Sequence, residues 1–212
     1  VIAALKGYSD PPGYQPPAGG VRLDNVDLER QIPFVAKALA APDAVAYPNG
    51  HICPIHDTWA KSRSSSARKK TSSTILPGFG QASLGRGSGI HQLQAQLHFS
   101  GGHGHAHADS LGLSLFAKGQ EMLSDIGYSH SKLRGWTIST ASHNTLVIDR
   151  QGQATSDSDG DLLMFMPQAA GLSLVEASGK RAYPKAAQTY RRQLLVVPVS
   201  EEDAYLVDLF RA

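Results

Sequence analysis

Three histidines and an aspartate alternate in the stretch GHGHAHADS, at His103, His105, His107 and Asp109. Imidazole nitrogens and carboxylate oxygens are natural zinc ligands, and both groups also transfer protons in catalysis. The apolar alternation LGLSLFA follows directly. If strand conformation reaches back to His105, then His105, His107 and Asp109 share one face of that strand. The stretch predicts a metal site, a catalytic site or both, with a histidine-rich loop as the simpler alternative.

Two residues further along the chain complete a candidate metal site. Asp125 lies in LSDIGY and His143 in ASHNTLVID, and the separations His107 to Asp125 and Asp125 to His143 are equal. Equal separations suit neighbouring antiparallel strands. The spacing therefore predicts that His107, Asp125 and His143 converge as a His/Asp/His site. Each residue alone also suits an ordinary turn or a backbone hydrogen bond.

The composition excludes several classes of protein. The chain has 212 residues, a net charge of +2 and a single cysteine, Cys53. The low net charge and few aromatics argue against a nucleic-acid partner. No apolar run reaches the ~18 residues of a membrane helix, and one cysteine allows no intrachain disulfide. A chain of this length can form one large domain or two small ones.

The elements that must position these residues change in character along the chain. In DNVDLERQIPFVAKALAAPD, apolar residues recur at helical spacing after a cap at Asp24 or Asn25, and Pro33 interrupts the helix or lies near its first turn. The basic, serine-rich segment 61–73 reads as a solvated linker, with an anionic-ligand contact as the alternative.

After residue 75 the period becomes two. HQLQAQLHF predicts a half-buried strand with one polar face. Further strands are predicted in SLGLSLFA, EMLSDIGY, HNTLVID, DLLMFM, LSLVEAS, RRQLLVVPVS and DAYLVDLF. Short strands between Gly, Asp and Ser turns indicate a mainly β protein, an antiparallel β-sandwich, with no long helix after residue 75.

These motifs carry a resemblance to a known family. GHGHAHADSLGLSLFAKGQEMLSDIGY, followed by RGWTISTASHNTLVIDRQGQ, resembles the heparinase II/III-like polysaccharide lyases, which include oligoalginate lyases. ILPGFGQASLGRG resembles the start of that family's β-domain, and YPNGHICPIHD the end of its helical toroid. The resemblance covers most of residues 45–155.

The resemblance implies an (α/α) toroid followed by an antiparallel β-sandwich, with substrate bound in the cleft between them. Residues 1–65 would be the end of the toroid, 66–74 a linker and 75–212 a truncated sandwich. The chain begins at Val1 rather than methionine and stops inside the strand-like AYLVDLFRA. We therefore expect a fragment of a larger enzyme, periplasmic or secreted by resemblance.

The resemblance also implies roles for individual residues. His105 matches the histidine that reaches into the active site, and Tyr128 is a further catalytic candidate. Arg134, in KLRGWT, matches a position near the substrate. The matches to the family's structural zinc ligands are His107, Asp125 and His143.

The implied reaction is β-elimination at a uronic acid of an anionic polysaccharide, either a glycosaminoglycan such as heparan sulfate or alginate. In the family, the carboxylate-neutralising Asn or His and a catalytic Tyr come from the toroid. Tyr8, Tyr14 and Tyr47 match no family motif here. The catalytic set of this chain is therefore expected to be incomplete.

Three other classes of protein compete with this interpretation. HAHAD matches five positions of the metallo-β-lactamase motif HxHxDH, but the sixth residue is Ser110. A cupin would need a glutamate soon after the HxH pair, and Glu121 is too distant. A carbohydrate-binding sandwich with structural histidines is the non-enzymatic alternative. Ultraviolet-absorbing unsaturated uronide ends would distinguish a lyase from a binding module.

Overall fold

The computed structural model describes residues 2–62, 67–102, 104–169 and 171–212, so His103 and the middle of the basic serine-rich segment lie outside the described residues. The chain divides into two compact units, Val1–Ala41 and Pro42–Ala212. The second unit contains both sheets and every candidate site residue. Among the described residues, no helix has the length and apolar character needed to cross a bilayer.

Helices occupy the start of the chain: α1 (Ile2–Leu5), α2 (Leu28–Gln31) and α3 (Pro33–Ala44). The cap of α2 is Asp27, whose carboxylate accepts a hydrogen bond from the Arg30 amide at 3.2 Å. The predicted caps, Asp24 and Asn25, were wrong by two or three positions. Pro33 is the first residue of α3, where its missing N–H costs nothing.

Two antiparallel sheets form the second unit. The first sheet follows chain order: β1 (Thr74–Leu76), β2 (Gln81–Arg86), β3 (Leu93–His98), β4 (Gly112–Ala117) and β5 (Gln120–Leu123). The second also follows chain order: β6 (Asp161–Ala169), β7 (Leu172–Ser178), β8 (Arg191–Pro198) and β9 (Ala204–Arg211). The only described α-helix after residue 75 is the single turn α4 (Arg134–Thr137). The prediction of a mainly β, antiparallel sandwich is confirmed.

The apolar core combines alternate residues of both sheets. Leu84 of β2 and Leu97 of β3 belong to the same buried cluster as Val175 of β7 and Leu194 of β8. All four are fully buried. Burying such side chains contributes roughly 1.5–3 kcal/mol each, so this layer is the main source of stability in the sandwich.

The opposite face of β3 is also buried, which corrects the prediction of a half-buried strand. The Gln94 side-chain amide donates to the Ala46 carbonyl at 3.0 Å, and the Gln96 amide donates to the Val45 carbonyl at 3.2 Å. Gln81 of β2 donates to the Gln96 carbonyl oxygen at 2.6 Å. The irregular segment 45–47 covers this face because glutamine side chains satisfy its backbone.

A second, smaller apolar cluster consists of four buried residues: Tyr47, Cys53, Ile55 and Phe116. The Cys53 thiol donates to the Tyr47 hydroxyl, with Sγ and Oη 3.3 Å apart. Burial raises the pKa of the Cys53 thiol to about 12, against a smaller opposing effect of the Tyr47 hydrogen bond. Tyr47 is thus a core residue with its hydroxyl turned to a thiol.

Two strand predictions near the histidines were wrong. Residues 143–149 do not form a strand: they follow a 3-10 turn, Thr140–Ser142, and contact β4 only locally, where the Leu113 amide donates to the Asn144 carbonyl at 3.2 Å. The strand after the histidines begins at Gly112 and does not reach back to His105. Positive φ angles of 68° at His105 and 60° at Leu111 break the extended conformation.

Candidate metal and catalytic site

Loops, rather than strands, carry the histidine-rich motif. Between β3 and β4, the Gln153 side chain fixes Ser110: its Oε1 accepts from the Ser110 amide at 2.7 Å and its Nε2 donates to the Ser110 carbonyl at 3.0 Å. Arg192 of β8 donates to the Leu111 carbonyl at 2.7 Å. These bonds replace the ladder that a strand would have supplied, and they hold Asp109 beneath the site.

A second pair of loops is held together next to the first. The Tyr128 amide donates to the Thr58 carbonyl at 3.0 Å, and Trp59 forms an isolated antiparallel bridge with Gly127. Gly127 has a φ of 63°, and a Cβ there would lie 2.1 Å from the Thr58 oxygen. Only glycine allows this close approach. It brings the loop of Asp125 and Tyr128 against the loop of His56 and Asp57.

Two of the predicted metal ligands, His107 and Asp125, each approach the third at His143 Nε2. His107 Nδ1 lies 3.4 Å from it and Asp125 Oδ2 lies 3.3 Å from it. The prediction that three neighbouring strands would present these ligands was wrong, because all three lie in loops or turns. The side chains of His107 and His143 are almost fully buried.

Hydrogen bonds fix which imidazole nitrogens carry protons. His107 Nε2 lies 3.0 Å from Asp57 Oδ1, and a carboxylate only accepts, so Nε2 donates and Nδ1 keeps a lone pair. His143 Nδ1 donates to the Ser139 carbonyl at 2.7 Å, so its Nε2 keeps a lone pair. Two lone-pair nitrogens thus face each other, and the residue that completes a group of three ligand atoms within 4.8 Å of one another is Asp109 rather than Asp125.

This arrangement fits a bound cation. Tetrahedral zinc bonded at 2.0–2.2 Å holds its ligand atoms roughly 3.3 Å apart. This is close to the 3.4 Å between the two histidine nitrogens and the 3.3 Å between Asp125 Oδ2 and His143 Nε2, whereas His107 and Asp125 lie farther from each other. Metal-binding histidines usually donate their other ring N–H to a carboxylate or carbonyl oxygen, and Asp57 is that partner for His107. Burial raises the pKa of Asp125, against the opposing effects of His143 and of the Gly127 amide, which donates to Oδ1 at 2.7 Å.

A further layer of ionisable residues lies beneath the predicted ligands. Asp109 is fully buried, with Oδ1 3.1 Å from His56 Nδ1 and Oδ2 3.5 Å from His98 Nε2. Burial alone would raise the pKa of Asp109, but the surrounding imidazoles, led by His98, hold it well below its usual range. Burial lowers the pKa of His98 to about 4. Among the described residues, two groups offer metal-ligand atoms within 4.8 Å of one another: His107 with Asp109 and His143, and His56 with His98 and Asp109.

The predicted active-site histidine points away from this buried layer. The His105 side chain is 82% exposed, and its Nδ1 donates to Asp57 Oδ2 at 2.9 Å, which leaves Nε2 facing outward. The Asp57 amide donates to the His105 carbonyl at 3.3 Å. Asp57 therefore holds both the ring and the left-handed backbone of His105.

Asp57 also holds the predicted substrate-binding arginine. Arg134 Nη2 donates to both Asp57 oxygens at 2.9 Å. Burial would raise the pKa of Asp57, but its hydrogen bonds to His107, His105 and Arg134 outweigh burial and lower the pKa to about 2. One carboxylate thus joins the active-site candidate, a metal-ligand candidate and the arginine.

Aromatic side chains extend the site outward from Arg134. Its guanidinium lies 4.9 Å from the centre of the Tyr128 ring, at cation–π distance. Tyr128 packs edge-on against Trp59 at 4.7 Å and His130 at 4.5 Å. Trp59 is 54% exposed. The structure therefore places Arg134 and His105 on Asp57, and Tyr128 against Arg134 within an exposed aromatic surface.

Sequence reasoning did not identify Asp57, His56 and His98 as site residues. Asp57 and His56 lie in PIHD, at the end of a segment that was matched to the family without a role for its acid. His98 alternates with glutamines and was read as part of a polar strand face. The available signal was the pairing of His and Asp in PIHD, since buried charges require partners.

Comparisons with known proteins agree with this architecture. Residues 93–211 match the family model described as "Heparinase II/III-like, C-terminal". No curated protein matches the chain by sequence.

Solved structures resemble the fold of the chain at low sequence identity. Heparan sulfate lyase HepC from Pedobacter heparinus is 18% identical with a TM-score of 0.62, over 79% of this chain and 31% of that one. A heparinase III gene product is 13% identical with a TM-score of 0.61, over 79% and 31%. A structure titled Heparinase III is 16% identical with a TM-score of 0.59, over 76% and 32%. The chain spans about a third of the length of these structures.

Proposed function

Because this chain belongs to the heparinase II/III-like family through its C-terminal domain, we propose that it is part of a polysaccharide lyase that cleaves a uronate-containing glycan by β-elimination. One observation carries the proposal: an exposed imidazole, His105, is oriented by Asp57 directly beside a buried cluster of metal-ligand side chains. An imidazole oriented in this way can exchange a proton with a bound substrate.

The chemistry sets three requirements. The uronate carboxylate must be neutralised so that negative charge can spread into it when the C5 proton leaves. A base must take that proton, and an acid must protonate the departing O4. The C4–O4 bond then breaks, a C4–C5 double bond forms, and no water is consumed.

His105 meets the requirement for proton transfer. Its Nδ1–H donates to Asp57, so Nε2 is free to accept a proton from the substrate or, once protonated, to donate one. Asp57 is a positioning residue, because it holds the ring without reaching the substrate itself. Tyr128 is the second candidate for proton transfer, with its ring next to the Arg134 guanidinium.

Binding would use the surface next to His105. Arg134 is 38% exposed and can contribute positive charge near the uronate carboxylate. Trp59 offers an exposed ring face for stacking on a sugar. In this proposal, the group that neutralises the carboxylate and the catalytic tyrosine come from the helical toroid that the family resemblance implies.

A zinc ion held by His107, Asp125 and His143 would have a structural role, fixing three loops and so the position of His105, two residues from a ligand. The support is the 3.4 Å separation of the two lone-pair nitrogens and the 3.3 Å between Asp125 Oδ2 and His143 Nε2, with Asp109 also within 4.8 Å of both histidines. Within the chain, the Asp57–His107 and His143–Ser139 hydrogen bonds orient the ligands in advance.

The substrate that we place first is heparan sulfate, since similar structures include heparan sulfate lyase HepC and Heparinase III. Alginate is the second candidate, because oligoalginate lyases belong to the family that the motifs resemble. Either substrate is an anionic polysaccharide, and the protein that acts on it would be periplasmic or secreted.

The test is ultraviolet absorbance of unsaturated uronide ends. The zinc-loaded full-length enzyme, which includes the helical toroid, is incubated with heparan sulfate, hyaluronan, chondroitin sulfate and alginate. We expect signal on one substrate and a loss of about 10²–10⁴-fold in His105→Ala, the usual contribution of a positioned acid or base. His91→Ala is the matched control, because that side chain is partly exposed and lies in the 3-10 turn Gly89–His91 that precedes β3, at the end of the strand away from His98.

Two results would contradict the proposal. Equal activity in His105→Ala and the native protein would remove His105 from the reaction. No signal on any of the four substrates, from folded and zinc-loaded protein that still binds one of them, would favour a carbohydrate-binding sandwich.

A further inference from the structure

The Asp109 carboxylate is a buried charge that the proposed function does not use. It is fully buried, and within the described part of the chain neither of its oxygens has a hydrogen-bond partner. An ionised carboxylate without donors is strongly unfavourable in a buried position. The atoms nearest to it are imidazole nitrogens: His56 Nδ1 at 3.1 Å, His98 Nε2 at 3.5 Å and His143 Nε2 at 3.9 Å.

The nearest of these nitrogens carries a lone pair rather than a proton. His56 Nδ1 accepts a hydrogen bond from the His107 amide at 3.2 Å, and His56 Nε2 lies 2.9 Å from the Ser100 hydroxyl. A nitrogen that accepts a hydrogen bond has no proton to give to Asp109. Two electron-rich atoms therefore face each other at 3.1 Å, and a positive charge between them would turn repulsion into attraction.

His98 completes the group from the strand side. Its ring lies edge-on to the His56 ring, with centres 5.2 Å apart. The neighbouring strand residue is Gly112, where a Cβ would lie 2.7 Å from His98 Nε2. Glycine at this position leaves room for the imidazole to turn its Nε2 toward Asp109.

We propose that His56, His98 and Asp109 form a second divalent-cation site, separate from that of His107, Asp125 and His143 and bridged to it by the Asp109 carboxylate. The ligand atoms of the second site all lie within 4.8 Å of one another and are almost fully buried. Two nitrogens and a carboxylate suit zinc. Binding replaces the hydrogen bond from the His107 amide to His56 Nδ1.

The bridge follows from the position of Asp109 between the two groups. Oδ2 lies 3.5 Å from His98 Nε2 on one side and 3.9 Å from His143 Nε2 on the other, while Oδ1 faces His56. A single carboxylate can ligate one cation with each oxygen. The proposal therefore predicts two zinc ions per chain, where the proposed function needs only one.

The first experiment counts zinc. The native protein and single-histidine variants are loaded with zinc, freed of excess metal and analysed by inductively coupled plasma mass spectrometry. We expect two zinc ions per chain in the native protein, and one in His98→Gln, in His56→Gln and in His107→Gln. The control His91→Gln, whose histidine lies outside the cluster, should keep two. Circular dichroism confirms that each variant is folded.

The pattern of losses separates this proposal from the first site. One zinc in the native protein that His98→Gln leaves bound and His107→Gln removes would overturn the second site and keep the first. Loss of one zinc in His98→Gln alone would keep the second site and remove the first. No zinc in the native protein would overturn both.

A measurement on the native protein avoids any folding defect of the variants. Cobalt(II) is added stepwise to metal-free protein, and the electron paramagnetic resonance signal is recorded. We expect the signal to rise up to one equivalent and fall toward two, because a shared carboxylate couples neighbouring cobalt ions magnetically. A signal that saturates at one equivalent, with further cobalt remaining free, would overturn the second site.

Discussion

On one face of β3, Ala95 and Leu97 pack into an apolar layer with residues of the second sheet. On the other face, Gln94 and Gln96 donate hydrogen bonds to the backbone of residues 45–46, and His98 turns toward Asp109. Both faces are buried. The first is stabilised by the apolar surface that it removes from water, and the second by hydrogen bonds and charge pairs between matched groups.

The difference teaches where a fold can tolerate change. An apolar layer accepts substitutions that conserve volume, because its attraction has no direction. A polar layer depends on each partner, because a buried donor or acceptor left alone costs its full desolvation energy. The candidate site is continuous with the polar layer, at the end of β3 where His98 lies.

The largest effect is expected in the apolar layer. Leu97→Ala should lower the free energy of unfolding by about 2–5 kcal/mol, since Leu97 is fully buried and its loss leaves a cavity. Urea denaturation measures this value. The same change at Leu209 of β9, which is 47% exposed, should cost much less. Equal losses at both positions would show that the apolar layer is not the main support of the sandwich.

Metal removal should affect the polar layer and its site selectively. A ligand present at 100 times its dissociation constant stabilises by about 2.7 kcal/mol, so a chelator should remove about that amount and lower the melting temperature. Differential scanning calorimetry with and without the chelator measures the shift.

Two variants show whether that shift belongs to the cluster. Chelation should lower the stability of Leu97→Ala by as much as that of the native protein, because the effects of distant, independent changes on the free energy of unfolding are additive. His107→Gln should show a smaller shift or none. An unchanged shift in His107→Gln would place the bound metal elsewhere in the molecule.

An intermediate effect is expected from the glutamine contacts. Gln96→Leu keeps the size of the side chain but leaves the Gln81 amide and the Val45 carbonyl without this partner. The expected cost is about 1–3 kcal/mol in urea denaturation. Gln120→Leu, at an exposed position of β5, should stay within about 0.5 kcal/mol. If Gln96→Leu instead increased the free energy of unfolding, apolar burial would be the main source of stability on both faces of β3.

The smallest effect is expected where neither kind of burial applies. Arg181 and Asp161 form an exposed ion pair, with oxygen–nitrogen distances of 3.0 and 3.1 Å. Arg181→Ala should change the free energy of unfolding by less than about 1 kcal/mol, and less still in high salt. A larger cost in thermal unfolding would indicate that charge networks on the surface matter in this protein.

Alternation in the sequence predicted most of the sandwich. The strands β3 and β6 to β9 have clear period-two patterns or short apolar runs, and the structure contains all of them. The strands β1 and β2 were not predicted as strands, because prolines and glycines in ILPGFGQASLGRG hide their alternation. The pattern in HNTLVID misled for a physical reason: Asn144 is engaged by the Leu113 amide and by Arg192, which hold the segment as a local contact.

The site was less accessible to sequence reasoning. The ligand set His107, Asp125 and His143 followed from spacing and family motifs. His107 and Asp125 each approach His143 Nε2, but the mutually close group around the two histidines contains Asp109 instead of Asp125. The strand geometry used to justify that meeting was wrong. Asp57 and His56 come from a loop far from the histidine motif in sequence, and no local period links them to it. Only the fold shows that one aspartate, Asp57, joins His105, His107 and Arg134.

The rate at which the buried Cys53 thiol is alkylated can measure how often residues 45–56 move away from the polar face of β3. The thiol lies beside Tyr47, and its raised pKa of about 12 leaves almost no reactive thiolate at neutral pH while residues 45–56 stay in place. Alkylation of Cys53 under native conditions must therefore wait for that segment to lift away. The rate of alkylation therefore reports how often residues 45–56, which include His56, leave their position. A bound cation should lower this rate.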